Sequence, residues 1–441
     1  MPEVIIHHLA IVAGGRGTRL EGIAGGLPKS LVPVGGKPVL QHQLDWAAAY
    51  GIKEVTILGG HGAELLAAYV AEHPSNLDIR LMVEGQPLGN AGALLAVLDS
   101  FPDHFFVVYG DVMVAVNLER LAHAHFENNA DFTTLAHPND HPFDSDLLET
   151  NTAGFVTAIH TAPHVQGQIH ANLVNAALYA VRHDALRPFV HSGEKQDFTH
   201  DVLPGLIGGG ARVLAYRSME YIKDMGTPER LCRVEADLRA GRLARSAAPA
   251  PAIFLDRDGT LNRERGFLSA TDDFELLPGV AQALRRLRHA GYRLVIVTNQ
   301  PVIARGEASE ETIASIHRRL EWELGLEGAF VDAIYLCPHH PDKGYPGERS
   351  DLKMDCECRK PKPGLVLAAC RDLDLDPARS WMIGDRTGDI ELARRAGLRS
   401  VLVETGACGR DGCYDAAPDF RAHDMMHASE CIIMSSGERA S

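Results

Sequence analysis

The chain has 441 residues, and 43 Lys+Arg against 58 Asp+Glu leave a net charge of −15. That length implies two or three domains, and with neither half basic the composition argues against a sequence-independent grip on nucleic acid or anionic lipid. Hydrophobic residues at 45% and charged residues at 23% are the proportions of a folded globular chain, no apolar run approaches the roughly 20 residues that span a bilayer, and the start, MPEVIIHHLAIVAGG, lacks the basic segment of a secretory leader.

Apolar, β-rich segments alternate with amphipathic patterns along the whole chain. Predicted strands are His8–Ala13, Glu54–Leu58, Phe105–Tyr109, Ala252–Leu255, Arg293–Thr298 and Trp381–Ile383. Predicted helices include Gln41–Tyr50, Pro228–Arg242 and Gly279–Ala290. Continuous apolar strands joined by helices indicate parallel sheets covered on both faces. The small, Pro-containing stretch Ala244–Pro251 (ARSAAPAP) reads as a linker. It separates a domain over 1–243 from one over 252–441, each large enough for its own core. The tail after Gly406 offers little beyond a last helix and strand within Met425–Met434. The expectation is an α/β chain of two doubly wound domains, kept in the cytoplasm, acting on small molecules.

In the first domain a predicted strand runs into GGRGTRL, Gly14–Leu20. Gly14, Gly15 and Gly17 permit close backbone approach, so the N–H groups here, with Thr18, can cradle a phosphate that Arg16 and Arg19 help to hold. In isolation such a turn can be only a turn. Downstream come Lys29 in LPKSLVPVGGKPVL, a second Gly-containing loop from Gln86 through Gly89 to Gly92, Asp111 at the end of FFVVYGD, and Asp224 in DMGTPERL. A carboxylate at the carboxyl end of a parallel strand sits where open α/β sheets bind ligands.

This ordered set resembles the sugar-1-phosphate nucleotidyltransferase family over about residues 8–240. The resemblance implies a Rossmann-like, GT-A-like fold and transfer of a nucleotidyl group to a sugar 1-phosphate with release of pyrophosphate. It implies that Gly14–Leu20 binds nucleotide phosphate, that Arg19 and Lys29 contact phosphate, and that Gln86–Gly92 reads base and sugar. Asn175, in VNAALY, would touch the sugar, and Asp111 and Asp224 would hold Mg²⁺. One departure stands out. The family's lysine before the sugar strand is missing from Thr157–His164 (TAIHTAPH), where only His160 or His164 could replace it.

The second domain opens with AIFLDRDGTLN, which delivers Asp256 and Asp258 at a strand end. Two carboxylates there can bind Mg²⁺, and one can attack phosphorus. Thr298-Asn299 end VIVTNQ, Lys360 lies in CRKPKPG, and Asp385 and Asp389 follow in MIGDRTGDIELARRAG. This order resembles the haloacid dehalogenase superfamily of phosphohydrolases over about residues 252–406. By that resemblance Asp256 is the nucleophile, Asp258 the general acid and then base, and Thr298, Asn299 and Lys360 form the phosphate site. Asp256 and Asp385 would hold Mg²⁺ with the carbonyl of Asp258, and Asp389 would stand behind them.

Of eight cysteines, Cys337, Cys356 and Cys358 form a C-x-H, C-x-C pattern with His339. Three thiolates and one imidazole suit a closed, tetrahedral structural Zn²⁺ site. The resemblance to zinc-loop members of this superfamily, which use C-x-H, implies His339 as the ligand in preference to His340. The loop leads directly into Arg359-Lys360. Haloacid-dehalogenase phosphatases with such a loop include the heptose 1,7-bisphosphate and histidinol phosphate enzymes. DRDGTLN, TNQ…ARG, CPHHP and CxCRKPKPG look most like the heptose family, in which Arg359 would contact a second phosphate. Pro301-Val302 replaces that family's usual Ser-Gly.

Together the resemblances imply a bifunctional enzyme. The phosphatase would turn heptose 1,7-bisphosphate into the 1-phosphate, which the first domain would activate with an NTP for surface-polysaccharide synthesis. GTP is the expected donor and GDP-D-glycero-α-D-manno-heptose the expected product. Another sugar 1-phosphate, a histidinol-phosphate-type phosphatase, and a non-catalytic nucleotide-binding first domain remain the alternatives. The oligomeric state is open, with a homo-oligomer among the options.

Overall fold

The computed structural model describes residues 5–15, 25–165, 167–191, 193–245 and 249–437. The chain divides into two compact units, one of Met1–His137, Ser145–Ala162 and Leu173–Ala247, the other of Pro138–Asp144, Pro163–Asn172 and Ala248–Ser441. Composition points to a single cut at the linker, whereas two short excursions of the first half group with the second unit.

The first unit carries, among the described residues, a sheet of nine strands. Its path runs Val156–His160, Leu147–Thr150, Val174–Arg182, His104–Tyr109, His8–Ala13, Glu54–Gly59, Asp78–Val83; Phe132–His137 pairs with Val174–Arg182 and with Val213–Arg217. His8–Ala13 is parallel to both its neighbours, Glu54–Gly59 and His104–Tyr109. The order reverses at this strand, and that reversal opens a crevice at the carboxyl ends. Alternate side chains feed two cores. Leu9 and Ile11 pack with Leu40 and Leu44 of the helix Val39–Ala49, while Ala10 packs with Leu94 and Leu95 of the helix Gly89–Leu95.

The sheet is parallel around His8–Ala13 but mixed as a whole. Val174–Arg182 runs antiparallel to His104–Tyr109 and to Phe132–His137, and Leu147–Thr150 pairs antiparallel with Val156–His160. Between Leu147–Thr150 and Val156–His160 the local cause is a tight return instead of a helical crossover. Asn151 Oδ1 accepts from the N–H groups of Ala153 and Phe155, and Gly154 takes a positive φ of 83°. A continuous apolar run such as NAALYAV is compatible with either direction, so the sequence carries no sign of the switch.

Among the described residues the second unit holds a parallel sheet of six strands: Ala333–Cys337, Arg293–Asn299, Ala252–Leu255, Trp381–Gly384, Arg399–Val403, Phe420–Ala422. Ile253 and Leu255 pack with the helices Val280–His289, Glu310–Leu326 and Met425–Gly437 on one face, and Phe254 turns to the other. All three are fully buried. At about 1.5–3 kcal/mol each they anchor the strand whose next residue, Asp256, is a buried carboxylate. The tail differs from expectation: Met425–Gly437 is one helix, because Met425, Ala428 and Ile432 fall on one face and seal the core. The extra strand is Phe420–Ala422, ahead of it. Among the described residues no helix is long and apolar enough to cross a membrane.

Candidate functional site

In the second unit Asp256 follows the central strand, Thr298 and Asn299 end the strand on one side, and Asp385 follows the strand on the other. Lys360 comes in from the loop beyond Cys358, and Asn299 holds its backbone. Asn299 Oδ1 accepts from Lys360 N at 3.0 Å, and Nδ2 donates to its carbonyl at 3.2 Å. This fixes Lys360 Nζ 2.6 Å from Asp256 Oδ1 and 2.7 Å from Asp389 Oδ1. Asp256, Asp385 and Asp389 present oxygens within 4.8 Å of one another. Gly259 and Gly406 give Asp385 its room, since a Cβ at either would collide with its carboxylate.

Three buried carboxylates share one ammonium, and the titration behaviour follows. Burial raises Asp256 well above the usual carboxylate range; Lys360 works against this, while Asp389 and Asp385 add to it. Asp385 is pushed up to about 6 by burial and by Asp389. Burial alone would lower Lys360, but the Asp256 and Asp389 charges outweigh it and raise the ammonium. Asp385 Oδ1 is buried and has no hydrogen-bond partner. An anionic excess with an unpartnered oxygen is a donor set that suits a divalent cation. Asp389, expected behind the ion, lies within ligand reach.

The Asp258 side chain turns away from these three carboxylates to partners of its own, which leaves only its backbone carbonyl for the expected magnesium site. Arg257 Nη2 donates to both its oxygens at 3.0 and 2.7 Å, and Gln300 Nε2 and Asn262 Nδ2 donate at 2.9 and 3.0 Å. Burial favours its neutral form, but the Arg257 charge and these donors win and hold Asp258 below its ordinary value. Thr298 is buried, and its Oγ1 accepts from Gln300. Sequence reasoning passed over Arg257, Gln300 and Asn262. The available signal was a charged residue lodged inside LDRDGTLN, where burial demands partners.

Cys337, His339, Cys356 and Cys358 converge. Sulfur–sulfur distances are 3.2, 3.2 and 3.5 Å, and His339 Nδ1 lies 3.3 Å from Cys358 Sγ and 3.7 Å from Cys337 Sγ. Tetrahedral Zn–S bonds of about 2.3 Å place sulfurs about 3.8 Å apart, so the cluster is a few tenths of an ångström tight and otherwise fits. Burial pushes the Cys337 thiol up, so a thiolate at Cys337 needs a cation to take the place of its proton. His340 is not in the group; it bonds Arg305 and the Asp342 N–H. Cys337 pairs with Asn299 in the sheet, and Arg359 Nη1 donates to the His339 carbonyl. The cluster thus grips both ends of the loop that delivers Lys360.

In the first unit Gly14 and Gly15 follow the central strand, and a Cβ on Gly14 would press on Glu84 at 2.8 Å. Arg16, Gly17, Thr18 and Arg19 lie outside the described residues. Lys29 Nζ donates to Asp111 Oδ2 at 2.8 Å. Asp224 ends a strand paired with Val112–Ala115, and Met225 N donates to the Asp111 carbonyl. Gly226 lies between: a Cβ there would stand 3.1 Å from Asp224 Oδ1 and 4.0 Å from Lys29 Nζ. Lys29, Asp111 and Asp224 therefore converge. Arg230, which sequence reasoning missed, donates from Nη1 to both Asp224 oxygens at 2.9 and 2.8 Å.

The segment Gln86–Gly92 is clamped by residues 193–197. Gln86 Nε2 donates to the Gly193 carbonyl, Ala91 and Gly92 N–H groups to the Gln196 carbonyl, and Asn90 to Asp197. Gly89, at φ 79°, has no space for a Cβ against Gln196. Asn175 sits in a network with Thr134, Thr199 and Tyr179. His160 bonds Glu149 and His164 bonds the Pro142 carbonyl, so neither is brought to the Lys29–Asp111 pair by these contacts.

Residues 9–241 match the family model described as Nucleotidyl transferase, and residues 357–428 the one described as HAD-hydrolase-like. Over 157 residues the chain is 45% identical to the D-glycero-beta-D-manno-heptose-1,7-bisphosphate 7-phosphatase of Yersinia pestis, a match that covers 35% of this chain and 81% of that protein. Over 191 residues it is 44% identical to the D-glycero-D-manno-heptose-1,7-bisphosphate 7-phosphatase of Thermosynechococcus vestitus, with 42% and 96% covered. A crystal structure of HddC from Yersinia pseudotuberculosis complexed with GMP-PN matches 53% of this chain and 100% of that one at 22% identity and a TM-score of 0.46.

Proposed function

The chain belongs to the nucleotidyl transferase family through residues 9–241 and to the heptose-bisphosphate 7-phosphatase family through its second unit, and on that premise we propose that it makes an activated heptose in two successive steps. It dephosphorylates D-glycero-D-manno-heptose 1,7-bisphosphate to the 1-phosphate, then transfers GMP from GTP to that phosphate. The observation that carries the reading is the buried Asp256–Lys360–Asp389 array on the same chain as a Lys29–Asp111 pair. One site is built to strip a phosphate, and the other can use a sugar phosphate that remains.

In the phosphatase, an Asp256 oxygen attacks the phosphorus of the 7-phosphate and the bond from phosphorus to the sugar oxygen breaks. Asp258 gives that oxygen a proton. Asp258 next takes a proton from water, whose oxygen attacks phosphorus and releases Asp256 and inorganic phosphate. Because Arg257 favours the ionised form of Asp258, the first proton arrives with the substrate as a phosphate monoanion. Lys360 and Thr298 hold phosphate oxygens, and Arg359 meets the second phosphate. Asp256 and Asp385 would hold Mg²⁺ with the carbonyl of Asp258, and the ion supplies charge against the phosphate oxygens.

In the transferase, an oxygen of the sugar 1-phosphate attacks the α-phosphorus, and the bond to the bridging oxygen breaks as pyrophosphate leaves. Gly14, Gly15, Gly17, Thr18 and Arg19 bind the triphosphate with Lys29. Gln86 and Gly89 face the base, and Asn175 the sugar. Asp111 and Asp224 would hold Mg²⁺, which supplies charge at the reacting phosphates. Two carboxylates already balanced by Lys29 and Arg230 fit a dication that competes with those cations. Pyrophosphate release from heptose 1-phosphate with each of four NTPs tests the base. GTP should exceed the others by about tenfold, a 1.4 kcal/mol preference; equal rates would remove guanine from the account.

Zn²⁺ held by Cys337, His339, Cys356 and Cys358 would fix the loop that ends in Arg359-Lys360. Elemental analysis should find one zinc per chain. Cys356→Ser should release it and lower phosphatase activity about 10–100-fold, as for residues that orient a site from outside it, with nucleotidyl transfer spared. Zinc-free protein after metal-replete expression would refute the site. Full phosphatase activity in a zinc-depleted Cys356→Ser protein would refute its role in placing Lys360.

A further inference from the structure

Among the described residues Arg257 is the bulkiest fully buried side chain, and a buried guanidinium must place five N–H donors. One edge faces the reaction. Nε and Nη2 donate to Asp258 Oδ1 at 3.1 and 3.0 Å, and Nη2 also reaches Asp258 Oδ2 at 2.7 Å and Gln300 Oε1 at 2.9 Å. The other edge faces away, with Nη1 3.1 Å from His317 Nε2. His317 lies on the inner face of the helix Glu310–Leu326 and is buried. Burial and the adjacent Arg257 charge bring it down to about 3. The ring is therefore neutral, and facing a donor it must offer Nε2 as the acceptor and carry its proton on Nδ1.

We propose that His317 is a positioning residue of the phosphatase: it anchors Nη1 of Arg257, so that the opposite edge of the guanidinium holds the Asp258 carboxylate in line for proton exchange with the sugar oxygen and with water. The inference rests on the reading of Asp258 as the proton-transfer residue. A planar guanidinium fixed at both edges cannot pivot, and its bonds to both Asp258 oxygens transmit that rigidity. Gln300 extends the brace, because its Nε2 donates to Asp258 Oδ2 and to Thr298 Oγ1, both at 2.9 Å. Without the anchor, Arg257 gains a pivot and Asp258 swings with it. Misplacement of a catalytic group by about 1 Å can cost about 100-fold.

The test compares leaving groups in the full-length, metal-loaded protein. A sugar oxygen needs a proton to leave, whereas p-nitrophenolate does not. His317→Leu keeps bulk and removes the acceptor; His317→Gln returns an acceptor at similar reach; His317→Asn is polar but too short. In the Leu and Asn variants kcat for heptose 1,7-bisphosphate should fall about tenfold or more with KM unchanged. With p-nitrophenyl phosphate the pre-steady-state burst should keep its wild-type rate, and the following steady state should slow, because Asp258 must still deprotonate water. His317→Gln should restore both. Should the Leu variant fail to fold by circular dichroism, the Asn variant decides. Wild-type kcat in the acceptor-less variant, or a p-nitrophenol burst slowed as much as the sugar reaction, overturns the proposal. Asp258→Asn should show the same leaving-group pattern more severely. If it does not, the reading of Asp258 is at fault and falls separately from the role of His317.

Discussion

Asp256→Asn should abolish phosphate release, by roughly 10⁴-fold or more as for loss of a nucleophile, and leave nucleotidyl transfer within a factor of two. An amide does not attack phosphorus, and it removes one carboxylate from the group that would hold Mg²⁺. The fold should tolerate the change. Asn fills the same space, Lys360 keeps its bond to Asp389 at 2.7 Å, and a carboxylate that burial, Asp389 and Asp385 all push up is replaced by a neutral group. Both activities, measured on one preparation, give the answer. Parallel loss of both would mean that the two sites are not separate.

Asp111→Ala should have the converse effect: pyrophosphate release falls about 10²–10³-fold, the usual cost of removing one electrostatic stabiliser, while phosphatase activity survives. The truncation also frees Lys29, whose Nζ bonds Asp111 at 2.8 Å, so Mn²⁺ affinity at this site should drop along with the rate. A variant that transfers nucleotide at the wild-type rate would show that Asp111 holds no metal.

The parts of the molecule legible in the sequence share a physical trait: their pattern is local. The strands His8–Ala13 and Ala252–Leu255 have the bounds that their apolar runs and following glycines suggest. The C-x-H and C-x-C pairs carry their own ligand spacing, and the four side chains meet. What the sequence hid depends on long-range partners. The direction of Val174–Arg182 is set by which strand it lies beside. Arg230 reads as an ordinary first-turn helix residue until Asp224 is placed beside it. His317 is one of 22 histidines, and only the helix packing turns it towards Arg257 across 60 residues of chain. The motif places Asp258 beside Asp256, but the partner of its side chain, the adjacent buried Arg257, is visible only in the fold. The stretch Thr157–His164 shows the same limit from the other side: a missing lysine is visible, and where its histidines point is not.

The central claim is an order of reactions on one chain, and a single time course tests it most directly. Purified protein is given heptose 1,7-bisphosphate, GTP and Mg²⁺, and inorganic phosphate and pyrophosphate are followed together. Phosphate should appear first and pyrophosphate after a lag, in equal final amounts. Asp256→Asn should release neither until heptose 1-phosphate is added, and should then release pyrophosphate alone. Pyrophosphate formed from the bisphosphate by the Asp256→Asn protein, or none formed from heptose 1-phosphate by the wild type, would contradict the account.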